Sequence, residues 1–410
     1  MKIKALAETL DANLEPAVRL LMELITFRSL RGQEKEIGRF LLAQVEGLVD
    51  SAELVPVPDA IQADPDYSFR LDDFSYAGTA NLRARLNGRA GGRTVAFNTH
   101  LDIVPPSPRQ ENPFVPRASD GKVYGRGACD AKGQIATLWL VLKTLRDLKL
   151  GPKGNVVVDF VVEEECGGNG TLAVVRNGLA ADGAVVLEPT DLEVAHLVRG
   201  AVWFAILATG KAGHSGSPAS TRSALKTAVN IMQAVEQVHE ELLAVSRNAV
   251  PKIAAHPNPM PCTFGMLHAG NWPAATPSEA VLKGVFGFLP PFRRQDIQER
   301  LTQAVRPFSA DIRFNMLRSD PSFIPEGHPL VQTLVEAARE AGAPSRPEFM
   351  NASCDSWRYV EQLGIPAVVF GPGSLTAAHA ADENISIDDI RKAALTLITF
   401  IGKWSGFDHA

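Results

Sequence analysis

Residues 155–162 are Asn-Val-Val-Val-Asp-Phe-Val-Val, and Glu163-Glu164-Glu165 follow them directly. This nearly unbroken apolar run predicts a β-strand that is buried on both of its faces. Strands of that kind belong to parallel sheets that carry helices on both sides, as in α/β proteins. The stretch therefore predicts the fold class, and its glutamates mark a place where polar groups leave the sheet.

The three glutamates repel one another, because adjacent carboxylates carry like charge. A cation close to them would relieve that repulsion. Neighbouring side chains point in different directions, so one of Glu164 and Glu165 can bind a metal while the other takes a proton from an attacking water. An exposed acidic turn is the alternative interpretation.

The order of predicted elements indicates two kinds of architecture along the chain. Up to about residue 197, helices and buried strands alternate, which is typical of an α/β fold with a mostly parallel sheet. An α+β pattern follows, and the α/β pattern returns after about residue 320. The predicted helices span residues 15–30, 34–48, 135–148, 170–177, 223–244, 294–305 and 330–341, and the predicted strands span residues 79–86, 93–97, 155–162, 183–187, 201–208, 262–268, 279–288, 311–317 and 367–370. We therefore predict a discontinuous catalytic domain, residues 1–197 and 320–410, with a smaller inserted domain at residues 198–319.

The composition and charge argue against several classes of protein. The chain has 410 residues, which predicts two domains, and it is 45% hydrophobic and 21% charged, as in ordinary globular proteins. A net charge of −5 gives no electrostatic reason to expect nucleic acid or an anionic membrane as a partner. No apolar run approaches the roughly 18 residues of a membrane span, and the N-terminus lacks the apolar stretch of a signal peptide. The four scattered cysteines suggest reduced thiols, so we expect a cytoplasmic protein.

His100 and Asp102 end another strand-like run, Asn98-Thr99-His100-Leu101-Asp102. Two residues apart on an extended chain, their side chains leave on the same side. The Asp102 carboxylate can then accept a hydrogen bond from one ring nitrogen of His100 and leave the other nitrogen for a metal. A surface histidine beside a capping aspartate explains the same residues, so the pair by itself leaves both interpretations open.

Asp130, Glu188 and His379 are weaker signals. Asp130 follows a glycine-rich turn before a helix, where a carboxylate is often only a cap, although its two oxygens can bridge two cations. Glu188 ends a buried strand and His379 lies in an alanine-rich stretch, and each taken alone is more often structural. Together with His100 and the glutamates, this mixed set suits Zn²⁺, with Mn²⁺ or Co²⁺ as alternatives.

Taken in order, these motifs resemble the zinc aminoacylase and metallopeptidase family that contains acetylornithine deacetylase, succinyl-diaminopimelate desuccinylase, aminoacylase and glutamate carboxypeptidase. The resemblance extends over nearly the whole chain. The motifs that carry it are Phe27-Arg28-Ser29, His100-Leu101-Asp102, Gly-Arg-Gly-Ala-Cys-Asp-Ala-Lys-Gly at residues 125–133, Glu164-Glu165 with Gly167 and Gly170, Leu187-Glu188-Pro189-Thr190, Gly213-His214-Ser215, and Gly371-Pro372-Gly373 ahead of His379.

The resemblance implies a site for two divalent metals, with zinc as the first choice. His100, Asp130 and Glu188 would hold one metal. Asp130, Glu165 and His379 would hold the other, so that Asp130 bridges the two.

The resemblance also implies roles for residues around the metals. Glu164 would act as the general base, and Asp102 would orient His100. The inserted domain would be a lid that also joins two subunits in a homodimer. His214 would help to polarise the substrate carbonyl, typically from the partner subunit, whereas the sequence by itself makes it an ordinary turn residue.

The chain departs from the family pattern where many members bind a substrate carboxylate. Gly287 stands at the position of an arginine on a lid strand. Either another arginine reaches the carboxylate, with Arg222 and Arg358 as candidates, or the substrate carries none at that point. We expect weaker dependence on an α-carboxylate than in relatives that have the arginine.

We therefore predict a dinuclear metal-dependent amidohydrolase that removes an N-acyl group from an amino acid or related amine. A dipeptidase or carboxypeptidase of the same family, acting on short peptides, is the first alternative. A non-catalytic binding protein on the same fold is the second. Such a protein would be expected to have lost Glu164 or a metal ligand, and the sequence retains all of them.

Overall fold

The computed structural model describes residues 3–69, 74–89, 91–254 and 256–408. Its α-helices are α1 (Ile3–Thr26), α2 (Lys35–Val45), α3 (Gly133–Asp147), α4 (Asn169–Arg176), α5 (Ala224–Ala249), α6 (Arg294–Val305), α7 (Pro329–Glu340) and α8 (Ile387–Trp404). Its strands are β1 (Ser51–Pro56), β2 (Ala80–Leu86), β3 (Val95–His100), β4 (Arg117–Ser119), β5 (Lys122–Tyr124), β6 (Gly151–Pro152), β7 (Val156–Val161), β8 (Gly183–Val186), β9 (Val194–Val198), β10 (Gly200–Thr209), β11 (Gly213–His214), β12 (Cys262–Ala269), β13 (Ala275–Thr276), β14 (Glu279–Phe288), β15 (Ala310–Arg313), β16 (Arg318–Ser319), β17 (Ser322–Phe323), β18 (Pro347–Met350), β19 (Ala367–Val369), β20 (Asn384–Ser386) and β21 (Phe407–Asp408).

The larger sheet has the strand order β1-β2-β7-β3-β8-β19-β9-β17, and β18 pairs with β9. Its central strands β7, β3, β8 and β19 run parallel, whereas β1, β2 and β17 pair antiparallel at the two ends. Every residue of β3, β7 and β8 is buried, as the nearly unbroken apolar sequence of these strands requires. The predicted α/β fold with a mainly parallel central sheet is confirmed.

Helices cover both faces of this sheet, because successive side chains of a strand point to opposite sides. Phe97 belongs to a core that is completed by α1, α3, α7 and α8, and its ring lies edge-on to that of Phe400, with centroids 6.5 Å apart. Its neighbour Ala96 belongs to a second core with Val174 of α4 and Tyr359. The strands that end at the candidate site are thus fixed by packing on both sides.

The smaller sheet has the order β12-β14-β10-β15, with β16 beside β10, and these strands pair antiparallel. Helices α5 and α6 contribute Ile231 and Ile297 to the core that also contains Val202 and Phe204 of β10. From Val202 onward, β10 alternates buried and half-buried residues, so only one of its faces packs on that core. This alternation explains the α+β pattern of the segment.

The chain passes between the two sheets at two neighbouring points. β9 ends at Val198 in the larger sheet and β10 begins at Gly200 in the smaller one, so Arg199 is the crossing residue. On the return, β16 pairs with β10 and β17 pairs with β9, which places the second crossing at residues 320–321. Both crossings lie close to the boundaries predicted for residues 198–319. The division into separate domains stays a prediction.

Several elements were not predicted from the sequence. Helix α8 begins after Ser386, whose hydroxyl accepts the main-chain N–H of Asp389, and most of its apolar residues are buried. Strand β1 is half-exposed along its length, so its sequence shows no clear alternation. The strand predicted at residues 311–317 is shorter and covers Ala310–Arg313. Among the described residues, no helix combines the length and the apolar character of a membrane span.

We expect Phe400→Ala to destabilise the protein by about 3 to 5 kcal/mol, because it opens a cavity beside Phe97 and Trp404. The midpoint of denaturant unfolding measures the change. Lys392→Ala, on the exposed side of the same helix, is the control and should cost roughly 0.5 kcal/mol or less. Equal midpoints for Phe400→Ala and the unaltered protein would contradict the packing of α8 on the sheet.

Candidate metal centre

Three parallel strands end side by side at one edge of the larger sheet. In their register, His100 of β3 stands beside Val161 of β7, and Asn98 of β3 stands beside Val186 of β8. The residues that follow each strand therefore emerge into the same space. They are His100 and Asp102 at the end of β3, Glu164 and Glu165 after β7, and Glu188 after β8.

The Asp130 carboxylate lies between two imidazole rings. Its Oδ1 is 3.0 Å from Nε2 of His100, and its Oδ2 is 3.2 Å from Nε2 of His379. Asp130 is placed by the turn ahead of α3, in which Gly127 adopts a φ of 82° that favours glycine. A carboxylate that faces one imidazole through each oxygen can bridge two cations.

Glu165 and Glu188 stand on the two sides of this aspartate. Oε1 of Glu165 is 3.0 Å from Nε2 of His379, and Oε2 of Glu188 is 3.9 Å from Nε2 of His100. The other oxygen of Glu188, Oε1, is buried and has no hydrogen-bond partner among the described residues. A buried carboxylate oxygen without a partner is costly, so this atom marks a place for a positive ligand.

The electrostatics of the cluster reflect its crowding. Burial, followed by the charge of Glu188, raises the pKa of Glu164 well above its usual range, and burial does the same to Glu188. Burial and then the charge of Asp130 raise the pKa of Glu165. Burial opposes the ionisation of Asp130, but hydrogen bonds from the two imidazoles outweigh it and lower the pKa of that carboxyl. Additional positive charge close to these carboxylates would stabilise their ionised forms.

Divalent cations fit this set of donors. Ligand atoms of His100, Glu164 and Glu188 lie within 4.8 Å of one another, and so do those of His100, Asp130 and Glu165. Imidazole nitrogens and carboxylate oxygens are the ligands that zinc and related metals take in catalytic sites. The cluster is therefore a candidate metal site, and the sequence predicted its members from separate parts of the chain.

Asp102 holds the neighbouring loop as well as His100. Nδ1 of His100 donates to the main-chain oxygen of Asp102 at 2.9 Å, while the carboxylate Oδ1 lies 3.5 Å from the same nitrogen. That carboxylate accepts the main-chain N–H groups of Glu164 and Glu165, each at 3.1 Å. The ring hydrogen bond predicted to the carboxylate thus goes to the carbonyl, because the carboxylate is engaged elsewhere. Either contact places a proton on Nδ1, so that a metal would be bound through Nε2.

Glu163 points away from the cluster. Its Oε1 accepts from Nε of Arg31 at 2.6 Å, and its Oε2 accepts from Nδ2 of Asn169 at 2.8 Å and from the hydroxyl of Tyr76. Arg31 therefore neutralises the first of the three consecutive glutamates. The mutual repulsion expected for the triplet is confined to the two that follow.

His214 is placed apart from the cluster within its own chain. It lies on β11, which pairs with β13, and its exposed ring accepts the main-chain N–H of Gly216 at Nδ1. It does not line the cavity over the cluster. The role predicted for His214, from the partner subunit, stays a prediction.

An ion pair behind the cluster was not predicted. Oε1 of Glu383 accepts the main-chain N–H groups of Cys129 and Asp130 at 3.0 and 3.1 Å, and Oε2 lies 2.5 Å from Nη1 of Arg126. Nη2 of Arg126 reaches the main-chain oxygen of His379 at 3.4 Å. The pair ties the Asp130 loop to the His379 loop, and a contact across 257 residues leaves no local pattern in the sequence.

A cavity of about 480 Å³ opens over the cluster. Its walls combine loops of the larger sheet with Trp203 of β10, Thr263 of β12 and Val285 of β14. A molecule bound there would contact both sheets. Arg199 also lines the cavity, a position that the sequence did not indicate.

Comparison with known proteins gives a family and several relatives. Residues 96–403 match the profile described as Peptidase family M20/M25/M40. An acetylornithine deacetylase of Myxococcus xanthus is 28% identical over 344 residues, which cover 80% of this chain and 84% of that protein. An N-formyl-4-amino-5-aminomethyl-2-methylpyrimidine deformylase of Bacillus subtilis (strain 168) is 23% identical over 376 residues, which cover 83% and 86% of the two proteins. The crystal structure of a dinuclear metal-binding peptidase from Bacillus subtilis is similar with a TM-score of 0.62 at 16% identity, over 95% of this chain and 98% of that one.

We expect Glu383→Ala to lower the free energy of unfolding by about 3 to 5 kcal/mol, because it leaves the guanidinium of Arg126 buried without a counter-ion. Thermal unfolding of the metal-free protein measures the effect. The double variant Arg126→Met/Glu383→Leu removes both charges and should recover much of the loss. If the double variant is as unstable as the single one, an unpaired charge is not the cause.

Proposed function

The chain belongs to peptidase family M20/M25/M40, and on that basis we propose that it removes an N-acyl group from an amino acid or a related amine. The family predicted from the sequence is confirmed, and with it the activity of an enzyme that hydrolyses amide bonds. The nature of the acyl group and of the amine is the proposed part.

The observation that carries the proposal is the position of Asp130 between two imidazoles, on a wall of the cavity. We assign His100, Asp130 and Glu188 to one cation, and Asp130, Glu165 and His379 to the other. Zn²⁺ is the first choice for both, with Co²⁺ and Mn²⁺ as alternatives. Cations at these positions would polarise the amide carbonyl and acidify the attacking water.

Glu164 is the proposed general base. It lines the cavity, and its main-chain N–H is held by the Asp102 carboxylate. It takes a proton from the water whose oxygen attacks the amide carbon, and it returns a proton to the nitrogen as the C–N bond breaks. The products are a carboxylate and a free amine.

The smaller sheet offers a surface for pairing two copies of the chain. β12 is its edge strand, with Met266 and Leu267 exposed, and α5 exposes Leu225, Val229 and Val245. An unpaired strand edge with apolar side chains favours association. We propose a homodimer through this surface, in which His214 of one subunit contributes to the cavity of the other.

A panel of substrates tests the proposal against its alternatives. The enzyme, loaded in turn with zinc, cobalt or manganese, is assayed for release of free amine from N-acetyl, N-formyl and N-succinyl amino acids and from dipeptides. We expect N-acyl amino acids to give the highest kcat/KM. Preference for dipeptides would favour a peptidase, and binding without turnover on any metal would favour a non-catalytic protein.

Glu164→Gln should lower kcat by ~10² to 10⁴-fold while both metals stay bound, because the amide keeps the shape of the side chain but cannot take a proton. Glu163→Gln is the matched control, since it changes the adjacent glutamate that points to Arg31. It should lower the thermal midpoint and leave kcat close to that of the unaltered enzyme. A Glu164→Gln enzyme of normal rate would show that another group is the base.

Asp130→Ala should remove both metals together, because one carboxylate serves both proposed sites. Glu188→Ala and Glu165→Ala should each weaken one site and spare the other. Elemental analysis after dialysis against a metal buffer gives the metal content of each variant. Two equivalents of metal retained by Asp130→Ala would rule out the bridging role.

His214→Ala should lower kcat by roughly 10² to 10³-fold with unchanged metal content, as expected for the loss of one donor to the developing oxyanion. Heterodimers of inactive His214→Ala and inactive Glu164→Gln subunits should regain activity, since one cavity is then complete. Differently tagged subunits allow the heterodimer to be isolated. A verified heterodimer without activity would refute action across the dimer.

A further inference from the structure

Arg199 stands where the chain crosses between the two sheets, and its side chain lines the cavity over the candidate metal centre. The other charged residues that line the same cavity are Asp130, Glu164, Glu165, Glu188 and His379. A fixed cation in a cavity of carboxylates places positive charge at a separate point from the proposed metals.

The guanidinium of Arg199 has no carboxylate partner among the described residues. Nε donates to the main-chain oxygen of Asn351 at 3.1 Å, and Nη1 donates to that of Gly200 at 3.4 Å. Its remaining N–H groups are left for another acceptor. Burial lowers the pKa of this guanidinium to about 10.

Four other buried or half-buried arginines are each paired with a carboxylate, whereas Arg199 has no such pair among the described residues. The pairs are Arg31 with Glu163, Arg83 with Asp159, Arg126 with Glu383, and Arg294 with Asp66. A half-buried guanidinium that lines a cavity without such a partner is placed to receive an anion from a bound molecule.

Gly287 has no side chain, which leaves space for the guanidinium of Arg199. Ala201 and Gly287 are direct partners in the pairing of β10 with β14. A Cβ atom at position 287 would lie 3.3 Å from Nη1 of Arg199 and 2.9 Å from the main-chain oxygen of Pro261. A side chain there would press on the guanidinium. The guanidinium of Arg199, the residue that precedes β10, thus lies beside the position at which the family resemblance places an arginine.

The two arginines suggested by the sequence do not take this place. Arg358 is fully buried, and its Nη2 donates to the main-chain oxygen of Gly167 at 2.6 Å. Arg222 pairs through its main chain with Lys211, and neither arginine lines the cavity. The cavity also has apolar side chains in its walls, namely Trp203, Val285, Leu317 and Met350.

We propose that Arg199 binds a carboxylate of the substrate. This proposal rests on the amidohydrolase function proposed above. It selects the first of the two alternatives left by Gly287, in which the carboxylate is bound by another arginine.

The test compares hydrolysis of N-acetyl-leucine with that of N-acetyl-leucinamide, which lacks the carboxylate. The unaltered enzyme should favour the acid by about 10-fold or more in kcat/KM, as one charge-assisted hydrogen-bonded pair requires. Arg199→Gln should bring that ratio close to one, mainly through the acid, and Arg199→Lys should keep part of it. Arg313→Gln, an exposed arginine on the same sheet, is the matched control and should keep the full ratio.

Three results would overturn the proposal. The ratio could persist in Arg199→Gln. Both substrates could lose activity equally in that variant, which would indicate a structural role at the crossing. The ratio could vanish in Arg222→Gln instead, which would move the carboxylate site to that residue.

A binding measurement separates this proposal from the proposed function. Calorimetric titration measures the binding of N-acetyl-leucine and of its amide to the metal-loaded enzyme. The Glu164→Gln background prevents hydrolysis during the titration. The same titrations are then repeated on the Glu164→Gln/Arg199→Gln variant. Carboxylate-dependent binding that needs Arg199 without any hydrolysis would support the site and refute the activity. Hydrolysis of both compounds at equal efficiency, with no effect of Arg199 on binding, would support the activity and refute the carboxylate site.

Discussion

The crowding of carboxylates at one edge of the larger sheet is the constraint on which the rest of the structure depends. The parallel register of β3, β7 and β8 aligns their ends, so Glu164, Glu165 and Glu188 leave the sheet close together. Like charges in a half-buried place are stable only when cations or fixed donors offset them. The imidazoles of His100 and His379 provide part of that offset, and the proposed metals would provide the remainder.

The groups behind the cluster act on the main chain of the ligand loops. Asp102 accepts the N–H groups of Glu164 and Glu165, and Glu383 accepts that of Asp130. These hydrogen bonds hold the main chain of each loop on the side away from the cavity. The side chains of the loops stay available on the cavity side. Arg31, Arg83 and Arg126 neutralise three buried carboxylates that do not line the cavity, namely Glu163, Asp159 and Glu383. Glu164, Glu165 and Glu188, which do line the cavity, have no arginine partner among the described residues.

Local patterns account for what the sequence predicted. Apolar strands that end in acidic residues indicate a shared sheet edge, and this pattern linked Glu188 with Glu164 and Glu165, whereas His379 was assigned through the family resemblance. The ion pair of Arg126 with Glu383, and the place of Arg199 in the cavity, depend on how distant segments meet, so no spacing in the sequence reveals them. Short or half-exposed strands such as β1 were missed for a related reason, since their neighbours rather than their own alternation hold them.

The two chain crossings also separate the proposed cation ligands from part of the cavity wall. The proposed cation ligands all precede Arg199 or follow residues 320–321, whereas Trp203, Thr263 and Val285 of the cavity wall lie between the crossings. Substitutions within the inserted segment can therefore remodel the wall that meets a substrate while the charged loops are inherited unchanged.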